Sequence, residues 1–343
     1  MNAEAKRVNL SLSPRFEELF GSEITEALLR EFMERNPDLV IQTASGAPDI
    51  FIFDEGGIAA AGGPAVTLVS FMDLLFYNID ILTEAGFDRP PKTRQEFLAF
   101  AAAVSGETAG AALSLSPADR QALSRDIFSW IWAGGGNLLS VNNRAFIADL
   151  NFFGALNSDN ALAPRVFDTT GDQRLREFAA GRIAMMIAST RAIPYLRDKM
   201  GDGAFGITTI PASGGAGKYS VCLSGIYAGL SVNCEYPAEA YSFLEFLAEK
   251  SPLFCAHLKA VPGMVSDLIP GDYVKGDPFY SKAWDIFESS AIVEGFSGKP
   301  GAQEYENAFM EEIRIFLETG RTAQDTAAAI RRRWDAVSAA DLE

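Results

Sequence analysis

The first residues of the chain alternate between apolar and polar side chains, as a strand packed on one face does. The alternating run extends from Val8 to Leu12 and stops at Ser13-Pro14. A helical pattern follows, with one apolar face, acidic residues in its first turn and arginines in its last. Ser22 is placed to cap this helix and Asn36-Pro37 to end it. The pattern predicts a strand followed by a helix.

Further apolar runs continue this alternation of strands and helices. Leu39–Ile41 and Ile50–Phe53 are short, and the second is apolar on both faces, which is typical of a strand buried in a parallel sheet. Strands alternating with helices indicate an α/β fold. The later elements predicted in the same way are a helix launched by the Thr93–Glu96 capping box, a helix ending at Gly181, strands over Ile183–Ala188, Gly206–Ile210 and Val221–Val232, and helices over Ala238–Lys250, Gln303–Glu318 and Thr322–Val337.

Length and charge narrow the class of protein. A chain of 343 residues exceeds the usual size of one compact unit, so two lobes are expected. The 45 acidic residues outnumber the 29 basic ones, and the net charge of -16 repels phosphate backbones and anionic lipids. We therefore expect no nucleic-acid partner, and an acidic surface that keeps a monomer in solution.

The sequence shows neither a membrane span nor a secretory signal. The most apolar stretch, Ala65–Leu82, is interrupted by Asp and Asn residues. The N-terminus lacks the charged start, apolar stretch and cleavage site of a signal peptide, so we expect either a cytoplasmic protein or a chain that begins after its signal. Cys222, Cys234 and Cys255 form no CxxC pair and are interpreted as structural, with a Cys222–Cys234 bridge left open.

Residues suited to metal or nucleotide binding are sparse. His257 is the single histidine, which excludes a multi-histidine metal site and leaves a Ser-His or Cys-His nucleophile poorly supported. The glycine-rich run that follows position 212 departs from a phosphate loop at Ala212 and Tyr219, and no GxGxxG follows the first strand. We expect no metal and no cofactor.

Paired acidic residues keep one enzymatic alternative open. Asp49 with Asp54, or Glu311 with Glu312, could serve as the two carboxyl groups of a glycoside-acting enzyme. Such pairs arise by chance in a chain with 45 acidic residues. A binding protein without catalytic residues is therefore the favoured interpretation.

An aromatic segment that runs into glycines is the most distinctive local feature. Residues 128–136 read Phe-Ser-Trp-Ile-Trp-Ala-Gly-Gly-Gly. Aromatic rings stack on the C–H faces of sugars, and glycine lets a ligand approach the backbone closely. Trp130, Trp132 and Gly135 are therefore candidate ligand contacts. The alternative is burial in a core, because Phe128 and Trp132 share a helix face.

Motifs in a fixed order along the chain resemble those of one family. From about Glu17 to Val337 the chain resembles the extracellular solute-binding proteins of ABC importers, in their maltose-binding-like, sugar-importer class. The most specific motif, Leu75–Thr93, is similar to the family's LYYNKDLFEKAG…PKTWDEF signature. The other motifs are Leu28–Pro37, Pro48–Ile50, Phe128–Gly136, Phe178–Met185 and Ala238–Leu247.

The resemblance implies a periplasmic-binding-protein-like α/β fold, a two-lobe clamshell that closes on its ligand by hinge bending. Crossing hinge strands are expected near Val66–Phe71 and Val221–Ala228. The connections after Thr43 and Asp54 are shorter than the family's, so the first lobe should be reduced. The expected lobes are residues 1–68 with 225–290 and residues 69–224 with 291–343.

Ligand contacts carried over from the family fall in the expected cleft between the lobes. Ser13 and Arg15 belong to the loop after the first strand. Phe53 takes the position of a stacking aromatic, and Asp54 follows it as a hydroxyl acceptor. The later candidates are Asp126 before the aromatic segment, Ser224 in the second hinge strand and Tyr305 on a late helix. The alternatives are an ordinary turn for the loop residues, the sheet core for Phe53, a solvated helix-end carboxylate for Asp126 and burial on its helix for Tyr305.

Arg191 departs from the family pattern. After the Phe178–Met185 motif the family commonly has Gly-Pro-Trp or Gly-Trp, whereas this chain reads Ile-Ala-Ser-Thr-Arg over residues 187–191. The guanidinium of Arg191 could hold a carboxylate or phosphate of the ligand, stack on a sugar, or pair with the acidic surface. The departure opens an anionic solute as an alternative to a neutral sugar.

The sequence thus predicts the substrate-binding component of an ABC transporter. It would capture a small polar solute, with a carbohydrate favoured, and deliver it to membrane permease subunits. The family resemblance implies a periplasmic or extracellular location, with a lipoprotein anchor as an option before signal removal. The alternatives are a binding protein for an anionic solute held by Arg191, a glycoside-acting enzyme, and a sensor or adhesin that reuses the fold.

Overall fold

The chain divides into two compact units, each built from two separate segments. A computed structural model describes residues 8–44, 46–54, 64–104, 109–112, 120–133, 144–158, 161–162, 168–212, 220–261, 272–293 and 301–340. The first unit comprises Met1–Phe71 and Ser224–Lys275, and the second comprises Met72–Leu223 and Gly276–Glu343. Residues 276–290, expected in the first lobe, therefore belong to the second unit.

Strands and helices alternate along most of the chain, as the sequence patterns predict. The strands are β1 (Val8–Leu12), β2 (Leu39–Thr43), β3 (Ile50–Asp54), β4 (Ala65–Asn78), β5 (Ala109–Ala112), β6 (Ile183–Ser189), β7 (Phe205–Thr208), β8 (Ser220–Leu230) and β9 (Ala291–Val293). The helices are α1 (Arg15–Phe20), α2 (Ser22–Arg35), α3 (Ile79–Glu84), α4 (Arg94–Ala103), α5 (Arg120–Ala133), α6 (Arg144–Ser158), α7 (Gly171–Ala179), α8 (Ile193–Met200), α9 (Pro237–Glu249), α10 (Ser251–Leu258), α11 (Asp272–Lys275), α12 (Pro278–Ser289), α13 (Ala302–Thr319) and α14 (Ala323–Ala340). Within the described part of the chain, no helix is both long and apolar enough to span a membrane.

The sheet of the first unit is mixed. Its strands lie in the order β2-β1-β3-β8. β1 is parallel to β2 and to β3, whereas β8 runs antiparallel to β3, with Ile50 opposite Leu230 and Asp54 opposite Ile226. The strand predicted over Ile50–Phe53 is therefore present, but one of its neighbours is antiparallel.

The core of the first unit lies on one face of this sheet. Helices α1, α2, α9 and α10 contribute aromatic rings that pack on the strands, and rings of this size each contribute about 1.5–3 kcal/mol when fully buried. The strand residues in this core include Leu10, Leu12, Ile50, Ile52 and Ile226. Since side chains alternate along a strand, Phe51, Phe53 and Tyr227 lie on the opposite face.

Helix starts confirm one predicted cap and correct another. The residue before α2 is Gly21, with φ of 83°, and no side chain caps that helix, so the predicted cap at Ser22 is wrong. A positive φ favours glycine, so Gly21 takes the position before the helix and Ser22 becomes the first helical residue. At α4 the Thr93 hydroxyl accepts a hydrogen bond from the Glu96 amide at 3.2 Å, as predicted.

The second unit combines a sheet with a helical core. β4 is antiparallel to both β6 and β7, and β5 is parallel to β6. The first residues of β8 pair with β9. The core is aromatic and draws on helices α4, α5, α6, α13 and α14; its fully buried rings include Phe97, Trp130, Phe146, Phe153 and Phe309.

Candidate functional site

Two strands pass from one unit into the other, one at the end of a segment predicted as a hinge and the other within such a segment. β4 crosses between Phe71 and Met72, and β8 crosses between Leu223 and Ser224. The carboxyl ends of β3 and β6 lie beside these crossings within their own units, since Asp54 pairs with Ile226 and Ser189 pairs with Asp73. Carboxyl ends of strands are where α/β folds usually place ligands. These two strand ends are therefore the candidate ligand-binding surfaces.

At the end of β3, Arg15 and Asp54 form an ion pair with a nitrogen–oxygen distance of 2.5 Å. Arg15 is the first residue of α1, and its backbone N–H donates to the Ser13 hydroxyl at 3.3 Å. Both charged side chains are partly exposed, so the pair adds about 1 kcal/mol or less to stability. The sequence named all three residues, and the structure brings them together as a set of donors and acceptors.

Aromatic rings lie on the outer face of the sheet, opposite to the side on which Asp54 stands, because Asp54 is paired with the core residue Ile226. Phe53 is stacked on Tyr227, with ring centroids 5.5 Å apart and planes inclined by 19°. Phe51 contacts Phe53 at 5.2 Å. Phe53 is buried and Tyr227 is partly exposed. Tyr227 was not predicted from the sequence, although the alternation of β8 places it on the same face as Gly225 and Gly229.

Ser224 is the first residue of the first unit after the β8 crossing. Its side chain is buried, and its hydroxyl has no hydrogen-bond partner among the residues that the structure describes. A buried hydroxyl without a partner costs about 1–3 kcal/mol, which makes Ser224 a position where a further polar contact would be favourable.

In the second unit, Asp73 lies on β4 close to the crossing between Phe71 and Met72. Nε and Nη2 of Arg125 donate to the two oxygens of its carboxylate. The Nε–Oδ2 distance is 2.9 Å. Asp73 is buried and Arg125 is partly exposed. Neither residue was predicted as a site residue from the sequence, because the pairing joins α5 to β4 across 52 positions.

Arg191 lies in the short turn that follows β6. The turn, Thr190–Ala192, is capped by the Ser189 hydroxyl, which accepts from the Arg191 N–H at 3.3 Å. The Thr190 hydroxyl accepts from the Met72 N–H at 3.2 Å, so the turn is tied to β4 directly after its crossing. Arg191 itself is exposed.

The predicted contacts on α5 lie inside the second core. Asp126 is buried and forms an ion pair with Arg174. Trp130 is 1% exposed and packs edge-on against Phe97 at 4.7 Å. The ring of Trp132 is also part of this core. Burial, the alternative left open for the tryptophans, describes Trp130 and Trp132, whereas Asp126 is buried and paired rather than solvated at a helix end. Ligand contacts by these residues stay predictions. Gly135 lies outside the described residues.

Tyr305 joins the last two long helices. Its ring contacts Trp334 of α14 with centroids 5.8 Å apart, and its hydroxyl hydrogen-bonds the Ser338 hydroxyl at 2.5 Å. These contacts match the helix burial that competed with a ligand role in the sequence analysis. A ligand contact by Tyr305 stays a prediction.

The acidic pairs considered for glycosidase chemistry have structural partners. The Asp49 carboxylate accepts from the Ser11 hydroxyl at 2.7 Å and from the Ser11 N–H at 2.8 Å. Glu311 and Glu312 both pair with Arg333, at 2.5 and 2.6 Å. These carboxylates fasten strands and helices to one another.

The remaining reactive side chains show no clustering in the described residues. No group of three or more His, Cys, Asp or Glu side chains there is placed to hold a metal ion. Cys234 and Cys255 are free thiols, and burial raises the pKa of Cys255 to about 11. The Cys222 side chain lies outside the described part.

Comparison with known proteins places the chain in a family. Residues 40–253 match the family described as bacterial extracellular solute-binding proteins. The chain belongs to this family. The resemblance predicted from the motifs is therefore confirmed.

Individual relatives of this solute-binding protein are distant in sequence and close in fold. A probable ABC transporter-binding protein of Deinococcus radiodurans is 25% identical over 250 residues, which cover 67% of this chain and 58% of the relative. The cyclic alpha-maltosyl-1,6-maltose binding protein of Arthrobacter globiformis has 16% identity and a TM-score of 0.77, covering 96% of this chain and 99% of that one. UgpB of Mycobacterium tuberculosis, solved with glycerophosphocholine, has 15% identity and a TM-score of 0.73, covering 98% and 100%.

The solved structures confirm the predicted α/β fold class of periplasmic binding proteins. At these levels of identity they show the fold alone. The chain spans less than two thirds of the length of its Deinococcus relative.

Proposed function

We propose that this solute-binding protein is the substrate-binding component of an ABC importer. It captures a small polar solute outside the cytoplasm, in the periplasm or at the cell surface, and delivers it to permease subunits as a monomer. One observation carries the proposal: the family match over residues 40–253 contains both crossing strands and the strand ends with Asp54 and Arg191.

A carbohydrate is the solute that the first unit favours. Strand β3 carries an aromatic ring on one face of the sheet and, at its end, a charged pair that both donates and accepts hydrogen bonds. Sugars need this combination, because a pyranose has an apolar C–H face and a rim of hydroxyls. The Arthrobacter protein that shares the fold is a cyclic alpha-maltosyl-1,6-maltose binding protein. The proposed contacts are Ser13, Arg15, Phe53, Asp54, Ser224 and Arg191.

An anionic solute is the second candidate, and Arg191 favours it. An exposed guanidinium at a strand end forms paired hydrogen bonds with phosphate or carboxylate. UgpB, which shares the fold, was solved with a phosphodiester. The two candidates differ in one measurable respect, the dependence of binding on Arg191.

Isothermal titration against neutral sugars, polyols, sugar phosphates and glycerophosphodiesters tests the proposed function. We expect at least one class to give saturable heats with a one-to-one stoichiometry. A folded protein that gives no heat with any of them would contradict the importer assignment in this form. Incubation with chromogenic glycosides should release no product, since the candidate acid pairs hold structural partners.

Arg191→Ala separates the two candidate solutes. An anion held by Arg191 should bind at least about tenfold more weakly to the variant, because hydrogen bonds to a charged group contribute about 1.5–3 kcal/mol. A neutral sugar should lose far less affinity than the anion, because it carries no charge to pair with the guanidinium. Arg182→Ala is the matched control, since Arg182 is also exposed but precedes β6 at the strand's other end. Equal losses for anion and sugar would argue against the anionic role.

A further inference from the structure

A charged pair ends the core-facing row of side chains on β4. Because side chains alternate along a strand, Tyr77, Leu75 and Asp73 lie on one face of the sheet. Leu75 is a core residue of the second unit and Tyr77 packs against that core, so Asp73 continues the same row. Its partner Arg125 comes from α5, one of the helices that cover this face.

Exposure to water does not explain why position 73 is polar. The side chain of Asp73 is only 3% exposed, whereas that of Arg125 is 23% exposed. Replacing a buried ion pair with apolar side chains of similar volume is often neutral or stabilising, so stability gives no strong reason for the pair either. A role in binding accounts for it better.

Two contacts hold the guanidinium of Arg125 in one orientation. Its Nε donates to Oδ2 of Asp73 at 2.9 Å, and its Nη2 donates to Oδ1. Since Nε and Nη2 face this carboxylate, the third nitrogen, Nη1, points away from it. A planar group that is already oriented loses less freedom when it binds a ligand.

The pairing of β4 with β6 brings Arg191 to the same place. Ser189 is opposite Asp73 in the antiparallel register, and Arg191 follows Ser189 by two residues. The Thr190 hydroxyl accepts from the Met72 N–H at 3.2 Å, so the residues directly before Arg191 and Asp73 contact each other. The exposed Arg191 therefore lies at the strand end that the charged pair occupies.

We infer that Arg125 is a solute-binding residue, which holds an anionic group of the solute together with Arg191, and that Asp73 positions its guanidinium. The planar fork of arginine matches the oxygens of phosphate and carboxylate groups. This inference rests on the proposed function and deepens its anionic alternative, because it predicts a solute that carries a phosphate or carboxylate group.

Isothermal titration with four probes tests the inference. Glucose 6-phosphate, glucuronate and glycerophosphocholine carry a phosphomonoester, a carboxylate and a phosphodiester, and glucose is the neutral comparison. We expect at least one of the three anionic groups to bind more tightly than glucose. Arg125→Ala should weaken the tightest of these probes at least about tenfold, the loss expected for hydrogen bonds to a charged group, and should weaken glucose far less.

A double-mutant cycle tests whether both arginines hold one group. Residues that contact the same group are coupled, so the loss in the double variant Arg125→Ala with Arg191→Ala should be smaller than the product of the two single losses. A combined loss equal to that product would contradict a shared anionic group.

Asp73→Asn separates positioning from charge. Removing a negative charge would by itself strengthen the binding of an anion, whereas removing the paired contact lets the guanidinium of Arg125 turn away. We expect weaker binding of the anionic probe. Tighter binding would overturn the positioning role of Asp73.

Arg197→Ala is the matched control. The side chain of Arg197 is also 23% exposed and also pairs with an aspartate of the second unit, Asp277, but it joins α8 to α12 instead of contacting β4. Its affinity for the anionic probe should equal that of the unmodified protein, and a loss as large as that in Arg125→Ala would overturn the inference.

A second variant guards against misfolding, because Arg125→Ala leaves a buried carboxylate without its partner. Asp73→Leu combined with Arg125→Met removes both charges, so this variant should fold and should lose the anionic probe to the same extent. Thermal unfolding shows which variants are folded. Folded variants that bind the probe as the unmodified protein does would overturn the inference.

The unmodified protein distinguishes failure of this inference from failure of the proposed function. Binding of glucose with none of the three anionic probes would overturn the inference and leave the proposed function intact. No heat with any solute of the wider panel would overturn both.

Discussion

A buried carboxyl in the second unit shows how strongly single residues depend on their surroundings. Asp149 on α6 and Arg94 on α4 form an ion pair of 2.5 Å with side chains 1% and 7% exposed. Arg94 also donates to the Trp130 carbonyl and lies 4.8 Å from the Phe152 ring centroid. Burial raises the pKa of Asp149 to about 6, against the opposing attraction of Arg94.

This pKa predicts a specific dependence of stability on pH. In the unfolded chain the carboxyl ionises near its ordinary value of 3.8, whereas in the folded chain it holds its proton up to about pH 6. Raising the pH through this window therefore removes stability, by about 3 kcal/mol at ~1.4 kcal/mol per pKa unit. Asp149→Asn lacks this loss and keeps an oxygen for Arg94. Urea unfolding of both proteins at pH 4 and pH 7 measures the difference, and parallel profiles would contradict it.

At the scale of residues, the sequence indicated which side chains have chemistry suited to a ligand better than it indicated whether those side chains are buried. Arg191 was identified as a candidate contact because it departs from the family motif. In the structure its side chain is exposed directly after the end of β6. The burial of Trp130 depends on Phe97 and Phe152, which are far away in sequence, so local patterns could not decide between core and ligand contact. Asp126 was left open for the same reason, since its partner Arg174 lies 48 positions away.

Among the elements, α4 and β5 depend on one glycine for their close approach. A methyl group at Gly110 would stand 2.6 Å from the carbonyl carbon and Cα of Ala101, which are rigid backbone atoms. Gly110→Ala should therefore lower the free energy of unfolding by about 2–3 kcal/mol, within the usual cost of overpacking. Chemical denaturation measures this change.

Gly203→Ala is the matched control for that prediction. Gly203 belongs to the same unit, its φ is not positive, and no atom lies within 4 Å of the position of its added methyl group. Its effect should stay within about 0.5 kcal/mol, as for most surface substitutions. Equal effects of the two variants would show that the contact between Gly110 and Ala101 does not limit packing.

Elements with strong periodic patterns were predictable, and short elements of small residues were not. The alternation of apolar and polar residues predicted β1, and an apolar helix face ending at Asn36-Pro37 predicted α2. β5 reads Ala-Gly-Ala-Ala, which carries no alternation, and its place in the sheet comes from pairing with β6. The start of α2 depends on the backbone angle of Gly21, which residue types alone do not reveal.

At the scale of the whole molecule, the contacts of α12 explain why residues 276–290 belong to the second unit. Phe279 of α12 stacks on Phe205 of β7 with centroids 4.6 Å apart. Asp277 caps the same helix and pairs with Arg197 of α8. Both partners belong to the second unit, and the sequence carried no sign of these contacts because they join segments about 75–80 positions apart.

Each unit holds a separate aromatic core, which predicts separate responses to core damage. Phe243 on α9 is fully buried in the first core, and Phe309 on α13 is fully buried in the second. Truncation of either ring to alanine should cost about 3–5 kcal/mol. Hydrogen exchange followed by mass spectrometry locates the loss. Phe243→Ala should speed exchange in Met1–Phe71 and Ser224–Lys275, and Phe309→Ala in Met72–Leu223 and Gly276–Glu343.

The two variants control each other, since both remove a buried phenylalanine from a helix and differ only in the core that they damage. If both variants speed exchange along the whole chain to the same extent, the two units unfold together as one cooperative body. The two units would then not be separately stable. If each acts within its own unit, the cores are independently stabilised. A bound solute should then slow exchange in the unit that holds its contacts, because ligand binding stabilises every part whose opening breaks the site.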